Sequence, residues 1–238
     1  MKNILETLDE NYILFENKSI NVIIDNSDKL WFNYNQLAKS IGYSDPKGAL
    51  KKHTDKIDGF LHSLAFANFS EGVKPFMETK REDFLQASQI SCFSMVEISH
   101  SLKEIFTSEA SIVTISISNT KATSYGYLGP IKAMLDATVP FLAKSFSEFS
   151  KIRVNAVGAG PLKTSASAGI PDYIDNYLYA EELTLRKQAL ETQEVADTVC
   201  FLLSPRSSGI NASTVIVDAG MSSNYFDQNV VKTFTKNK

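Results

Sequence analysis

Cysteine is nearly missing from this 238-residue chain: there are 2, Cys92 and Cys200, both inside apolar periodic segments. No CxxC or Cys/His metal spacing exists. Neither a disulfide framework nor a metal site is therefore expected, and a reduced cytoplasmic interior is the simplest home. No run of about 18 apolar residues occurs, so no membrane-spanning helix is expected. The opening MKNILETLDENY is acidic and lacks an apolar h-region, so no signal peptide is read there. Charge of one sign is not in excess: 24 Lys+Arg against 27 Asp+Glu leave −3. That balance argues against a wholly nucleic-acid-binding surface and leaves local patches open. Glycine is absent until Gly42. A dinucleotide site needs glycines after its first strand, so that backbone can approach a pyrophosphate at a helix N-terminus.

What is present has two grammars. Up to about Lys56, SINVIID alternates and is β-branched, Asn26 to Asp28 read as a turn, and KLWFN returns as a second strand. NQLAKSIGY has helical spacing and stops at Gly42. SDPKGALKKH restarts with Asp45 as cap and Pro46 at the first helical position. This predicts a small α+β module, residues 1–56, made of a hairpin and two short helices. Its second helix carries Lys47, Lys51 and Lys52. They are candidate phosphate contacts, or simply a solvated face.

From Ile57 to Lys238 strands and helices alternate. GFLHSLAFA (Gly59 to Ala67), SIVTISIS (Ser111 to Ser118), IRVNAV (Ile152 to Val157) and STVIVDAG (Ser213 to Gly220) are continuous apolar runs. Such runs belong to a parallel sheet covered on both faces. Between the first two, a long helix is expected behind a Thr79-x-x-Glu82 capping box, with Phe84, Ala87, Val96, Leu102 and Ile105 on its apolar face. LGPIKAMLDATVPFLAKSFSEF reads as a helix kinked at Pro140, and TQEVADTVCFLLSP as a helix capped by Thr192. In such sheets ligands lie outside the carboxyl ends of the strands. Ser63 to Phe66, Ser116 to Ser118, Gly158 to Thr164 and Gly220 should converge there.

SYGYLGPIK, Ser124 to Lys132, sits at that end. A tyrosine has an ordinary pKa of ~10 and needs a cation and a dry setting to share its proton near neutrality. Lys132 lies seven residues after Tyr125, two helical turns on the same face. Tyr127 is five residues away and points elsewhere. The alternative is a packed tyrosine beside a snorkelling lysine.

Two resemblances add to this reading. Residues 11 to 56, through INVIID, LWFN and LAKSIGYSDPKGALKKH, resemble the BRO amino-terminal domain of phage and large-DNA-virus proteins. That domain is associated with DNA binding. Residues 57 to 227 resemble the enoyl-acyl-carrier-protein reductases, a branch of the short-chain dehydrogenase/reductase superfamily. DGFLHSLAFA, TKREDFLQASQISCFS, VTISIS, YGYLGPIKAMLDA, IRVNAVGAGPLKTSASAGI and FLLSPRSSGINASTVIVDAGMS carry the likeness in order. The reductases use Tyr-x6-Lys, which Tyr125 and Lys132 match, whereas the commoner superfamily spacing would put Leu128 in the tyrosine's place.

The resemblance implies a partial Rossmann-like fold and an NAD(P)H-dependent reductase of fatty acid synthesis. Tyr125 and Lys132 would be catalytic. Ser63, Leu64, Ala65, Ser116, Lys132, Pro161, Leu162 and Thr164 would hold NAD(H) or NADP(H), with Leu162 acting through its backbone amide and carbonyl. Phe66, Tyr127, Ala166 and Ile170 would meet the substrate, and Ser165 to Leu183 would form a lid. An enoyl thioester, acyl carrier protein and a second copy of the chain would be the partners. Two departures stand out. Ile117 occupies the place of the family's second tyrosine, with a loop two residues shorter. The amino-terminal module stands where the family's first three strands and their glycine-rich turn would be. The alternative is therefore a non-catalytic fusion in which that module binds DNA.

Overall fold

The structure, a computed structural model, describes residues 5–9, 12–15, 18–24, 30–32 and 56–236, except 73, 165–166, 168–169 and 171–172. Met1–Lys56 and Ile57–Lys238 form two compact units.

The first unit is an antiparallel meander of β1 (Leu5–Asp9), β2 (Tyr12–Phe15), β3 (Lys18–Ile24) and β4 (Leu30–Phe32), in that spatial order. The hairpin expected from SINVIID and KLWFN is β3 with β4, paired from Val22 with Phe32 to Ile24 with Leu30. The two strands before it are additional to that expectation. The turn at Asn26 to Asp28, the two short helices, and Lys47, Lys51 and Lys52 lie outside the described residues.

The second unit is a parallel four-stranded sheet in the order β5 (Ile57–His62), β6 (Phe106–Ile117), β7 (Arg153–Ala159), β8 (Thr214–Val217). On one face lie α1 (Arg81–Ser88), a π turn (Gln89–Phe93), α2 (Ser94–Leu102) and α3 (Leu128–Ser147). Ile112, Val154 and Ala156 from the strands pack there with Met95, Ile131, Leu135 and Val139. The other face carries α5 (Thr192–Leu203), whose Val195, Val199 and Leu202 meet Val113 and Val157. Successive strand residues point to opposite faces. Since both faces are dry, the strands read as continuous apolar runs. Two further helices, α4 (Tyr173–Leu183) and α6 (Gln228–Lys236), complete the unit.

Several element boundaries differ from the sequence reading. β5 stops at His62, where its pairing with β6 ends at Thr114, so Ser63 to Ala67 are loop. β6 starts five residues early, because Ile57 pairs with Phe106. The box at Thr79 does not form: the Thr79 hydroxyl donates to Phe76 O (2.6 Å), and the helix begins at Arg81 behind Lys80. That helix is interrupted by the π turn, and Ile105 lies beyond its end. α3 runs on through Pro140. In α5 the capping position is Glu191, whose backbone N–H donates to Glu194 Oε2 (2.8 Å), and Thr192 is the first helical residue.

Candidate active site

Four loops leave the carboxyl ends of the strands, after His62, Ile117, Ala159 and Val217. Ser124 and Tyr125 close a 3-10 turn (Thr123–Tyr125) that ends on Gly126. Gly126 has φ 60° and ψ −147°, a conformation that side chains with a Cβ avoid. That reversal separates the two tyrosines. Tyr127 turns inward, 8% exposed, with its ring 5.9 Å from that of Phe69. Its hydroxyl accepts from Asn68 N (2.8 Å) and donates to Asn68 O (3.1 Å). Tyr125 sits toward Tyr173, and burial first, then Tyr173, pushes its phenol up to about 12. Tyr125 is half-buried, so the dry setting expected for it is partly made. The cation is not among the groups that shift it, and the phenol is raised rather than lowered.

Lys132 lies in the second turn of α3, 4% exposed, and its ammonium donates to Ile115 O (2.7 Å) on β6. Burial pulls it down to about 8, opposed by the nearby Asp136 carboxylate and by Cys92. Asp136 follows Lys132 by four residues, on the same helix face. Burial raises its carboxyl, while Ser116, Lys132 and Thr214 pull it back. Ser116 Oγ and Asp136 Oδ1 are both buried, and neither makes a hydrogen bond of good geometry.

His62 fixes the end of β5. Its Nδ1 lies 2.9 Å from Thr114 Oγ1 and its Nε2 2.8 Å from Ser94 Oγ. Ser94 gives its hydroxyl proton to Ile90 O (2.6 Å). The proton between His62 and Ser94 therefore belongs to Nε2, and in the neutral ring Nδ1 shares the Thr114 hydroxyl proton with His62 O, 3.2 Å from Thr114 Oγ1. Burial, then Lys132, brings His62 down to about 4, so the ring is neutral. Beyond it, Ser63, Leu64 and Ala65 are exposed loop residues. Phe66 is half-buried, and its backbone is held from the π turn: Phe66 N–H donates to Ser91 Oγ (2.8 Å) and Ser91 Oγ donates to Phe66 O (3.0 Å).

After β7 come Pro161 and Leu162, both half-buried. Leu162 N–H donates to the Tyr173 hydroxyl (2.8 Å), which donates back to Leu162 O (2.8 Å). Thr164 is tied into a local turn, its N–H donating to Ser167 Oγ (2.9 Å) and its Oγ1 accepting from Ser167 N (3.1 Å). Ile170 is half-buried, with its N–H on Ser167 O (3.1 Å). Ala166 lies outside the described residues.

Sequence reasoning missed His62, Ser91, Asp136 and Tyr173. Only Asp136 carried a local signal, its four-residue step from Lys132. Among the described residues, no cluster of three or more His, Cys, Asp or Glu could hold a metal, and no helix is long and apolar enough to cross a membrane.

The arrangement offers a neutral phenol, a buried ammonium and a backbone N–H and C=O pair at neighbouring strand ends. Residues 44–222 match the family described as Enoyl-(Acyl carrier protein) reductase. An NADH-type enoyl-[acyl-carrier-protein] reductase of Nostoc is 36% identical over 69% of this chain and 64% of its own length. The NADPH-type enzyme of Staphylococcus aureus is 35% identical over 71% of this chain and 66% of its own. The crystal structure of the Aquifex aeolicus enzyme superposes with a TM-score of 0.70 at 28% identity, covering 74% of this chain and 69% of that one. The Bacillus cereus enzyme, solved with NADP+ and an indole naphthyridinone, gives 0.68 at 31% identity over 73% and 68%. The chain thus spans about two thirds of the length of the curated relatives it matches. None of these comparisons supports the BRO resemblance of residues 11 to 56.

Proposed function

The chain belongs to the enoyl-(acyl carrier protein) reductase family, and from that premise we propose that its second unit reduces an enoyl thioester with NADH or NADPH. The observation that carries the reading is the family match over residues 44–222, supported by Lys132 buried against Ile115 of β6 and by Tyr173, which reaches both Tyr125 and the Leu162 backbone pair.

The residues present fit the nicotinamide half of a dinucleotide. Leu162 presents one donor and one acceptor side by side, which a primary carboxamide complements. Lys132 rests on one neutral carbonyl, from which its ammonium can turn to ribose hydroxyls. Ser116, the next residue along β6 after Ile115, has a buried hydroxyl that makes no hydrogen bond of good geometry. Toward the pyrophosphate the fit ends, since the sequence holds no glycine before Gly42.

When bound, the reduced nicotinamide supplies the hydride for the substrate's β-carbon. Tyr125 meets the charge that collects on the thioester oxygen. With its pKa pushed up to about 12 the phenol stays protonated across neutral pH, so it is always a donor. A donor fixed in a dry site stabilises a developing oxyanion far more than one in water. Lys132, at about 8, is largely cationic at pH 7 and adds positive charge. Asp136 and His62 act through position: the first opposes loss of the lysine's proton, and the second holds the end of β5.

Acyl carrier protein as the thioester's carrier and a homo-oligomer belong to the same reading. Exposed Phe93, on the π turn, and Phe141, on α3, support a self-associating helical face. The test uses the full chain: consumption of NADH and of NADPH with a crotonyl thioester, and calorimetry of each dinucleotide. Turnover is expected. Absence of both turnover and dinucleotide binding would overturn the assignment.

A further inference from the structure

Among the described residues of the second unit, one contact recurs three times between residues at least 11 apart in sequence, beside local versions of Ser167 on Thr164 and Thr184 on Gln188. A hydroxyl accepts from the N–H and donates to the C=O of a single residue: Ser91 on Phe66, Tyr127 on Asn68, and Tyr173 on Leu162. The first two hydroxyls belong to the core. Ser91 is fully buried in the π turn and Tyr127 is buried at the start of α3. Neither can leave without opening the sheet's helical face.

The third is different in kind. Tyr173 opens α4, in which Ala180 is the one buried residue. Ile174, Leu178 and Tyr179 of that helix are 66%, 51% and 55% exposed. Little apolar area holds α4 in place, and elements held by few buried contacts open at low free energy. The Tyr173 phenol, moreover, lies close enough to Tyr125 to raise its pKa. The same phenol thus holds the Leu162 backbone pair and neighbours the proposed proton donor.

We propose that Tyr173 is an internal occupant of the carboxamide position, so that its phenol and a nicotinamide carboxamide compete for Leu162 N–H and C=O. This rests on the nicotinamide reading of the site. A phenol and a primary amide can each give one hydrogen bond and take one, so they satisfy the same pair. The exchange leaves no buried donor or acceptor unmet, which keeps displacement from being prohibitive. The price is affinity: a dinucleotide binds only the fraction of molecules in which Tyr173 has withdrawn, and its apparent Kd rises by the inverse of that fraction.

The test compares the full chain with Tyr173→Phe, which keeps the ring and removes the hydroxyl. Amide exchange at Leu162 is followed without ligand, and NADH and NADPH binding by calorimetry. The expected result is faster exchange at Leu162 and dinucleotide binding tighter by about 2-fold. Unchanged exchange at Leu162 overturns the contact. Faster exchange with unchanged or weaker binding, in a chain whose wild type does bind, overturns the competition. If neither chain binds either dinucleotide, the reductase reading itself fails and the competition falls with it.

Discussion

The loops leaving β5 and β7 end on the same chemistry and answer to different elements. After β5, residues 63–69 are held by His62, Ser91 and Tyr127, all rooted in the core. After β7, Leu162 is held by Tyr173, rooted in a helix with one buried residue. A hydrogen bond contributes similar energy in both places. What differs is the work needed to remove its donor. The first loop is a fixed wall of the crevice, and the second is a wall with a removable part. A site that must admit a large ligand and then close on it needs both.

Predictions can break or sharpen this contrast. The largest effect is expected between the two loops, at Tyr125. Tyr125→Phe should lower kcat on a crotonyl thioester by about 10²–10³-fold while leaving amide exchange at Asn68 and Leu162 as it was. A loss of only a few-fold would place the donor elsewhere.

Next in size is a pH effect confined to the fixed wall. His62 is neutral when folded and falls to about 4, against 6.5 when free. As pH drops, the unfolded chain takes up this proton first. Stability from His62 is therefore full above about 6.5 and lost between there and about 4, by roughly 3 kcal/mol. Denaturant titrations across that window should show the slope, and His62→Gln should flatten it. Equal slopes in both proteins would mean that His62 is not the clamp on β5.

The last pair sets one hydroxyl against the other. Tyr127→Phe leaves the Asn68 N–H and C=O unmet beneath a buried ring and should cost about 1–3 kcal/mol of unfolding free energy. Tyr173→Phe frees groups that water can reach once α4 lifts, and should cost less than about 0.5 kcal/mol. Similar values for the two would erase the distinction between the walls.

Much of the sheet could be read from the sequence because burial on both faces writes itself into composition. Ile112 and Val113 face opposite cores, and no polar residue separates them. Strand ends were not legible, since they depend on pairing between distant residues, such as His62 with Thr114. The step from Tyr125 to Lys132 presumes one continuous helix, whereas Gly126 reverses the chain before α3 begins at Leu128, so helical periodicity does not relate the two. Thr79 misled because its hydroxyl had a nearer acceptor in Phe76 O. Tyr173 and Ser91 left no trace, because each acts on backbone groups that nearly every residue possesses. In the first unit, alternation and β-branching marked β3, and the turn residues after it marked the return to β4, while LETLD and YILF of β1 and β2 were not read as strands.

The π turn at Gln89–Phe93 has a consequence for how this chain can change over generations. It holds one residue more than an α-helical turn does, and that surplus aims Ser91 at Phe66. Deleting any single residue there would let the helix relax and rotate α1 by about 100° relative to α2. Substitutions along α1 and α2 can accumulate one at a time, but a one-codon deletion would swing Ser91 off the loop and Ala87 out of the core together. Lineages carrying this segment should vary in its letters and keep its length.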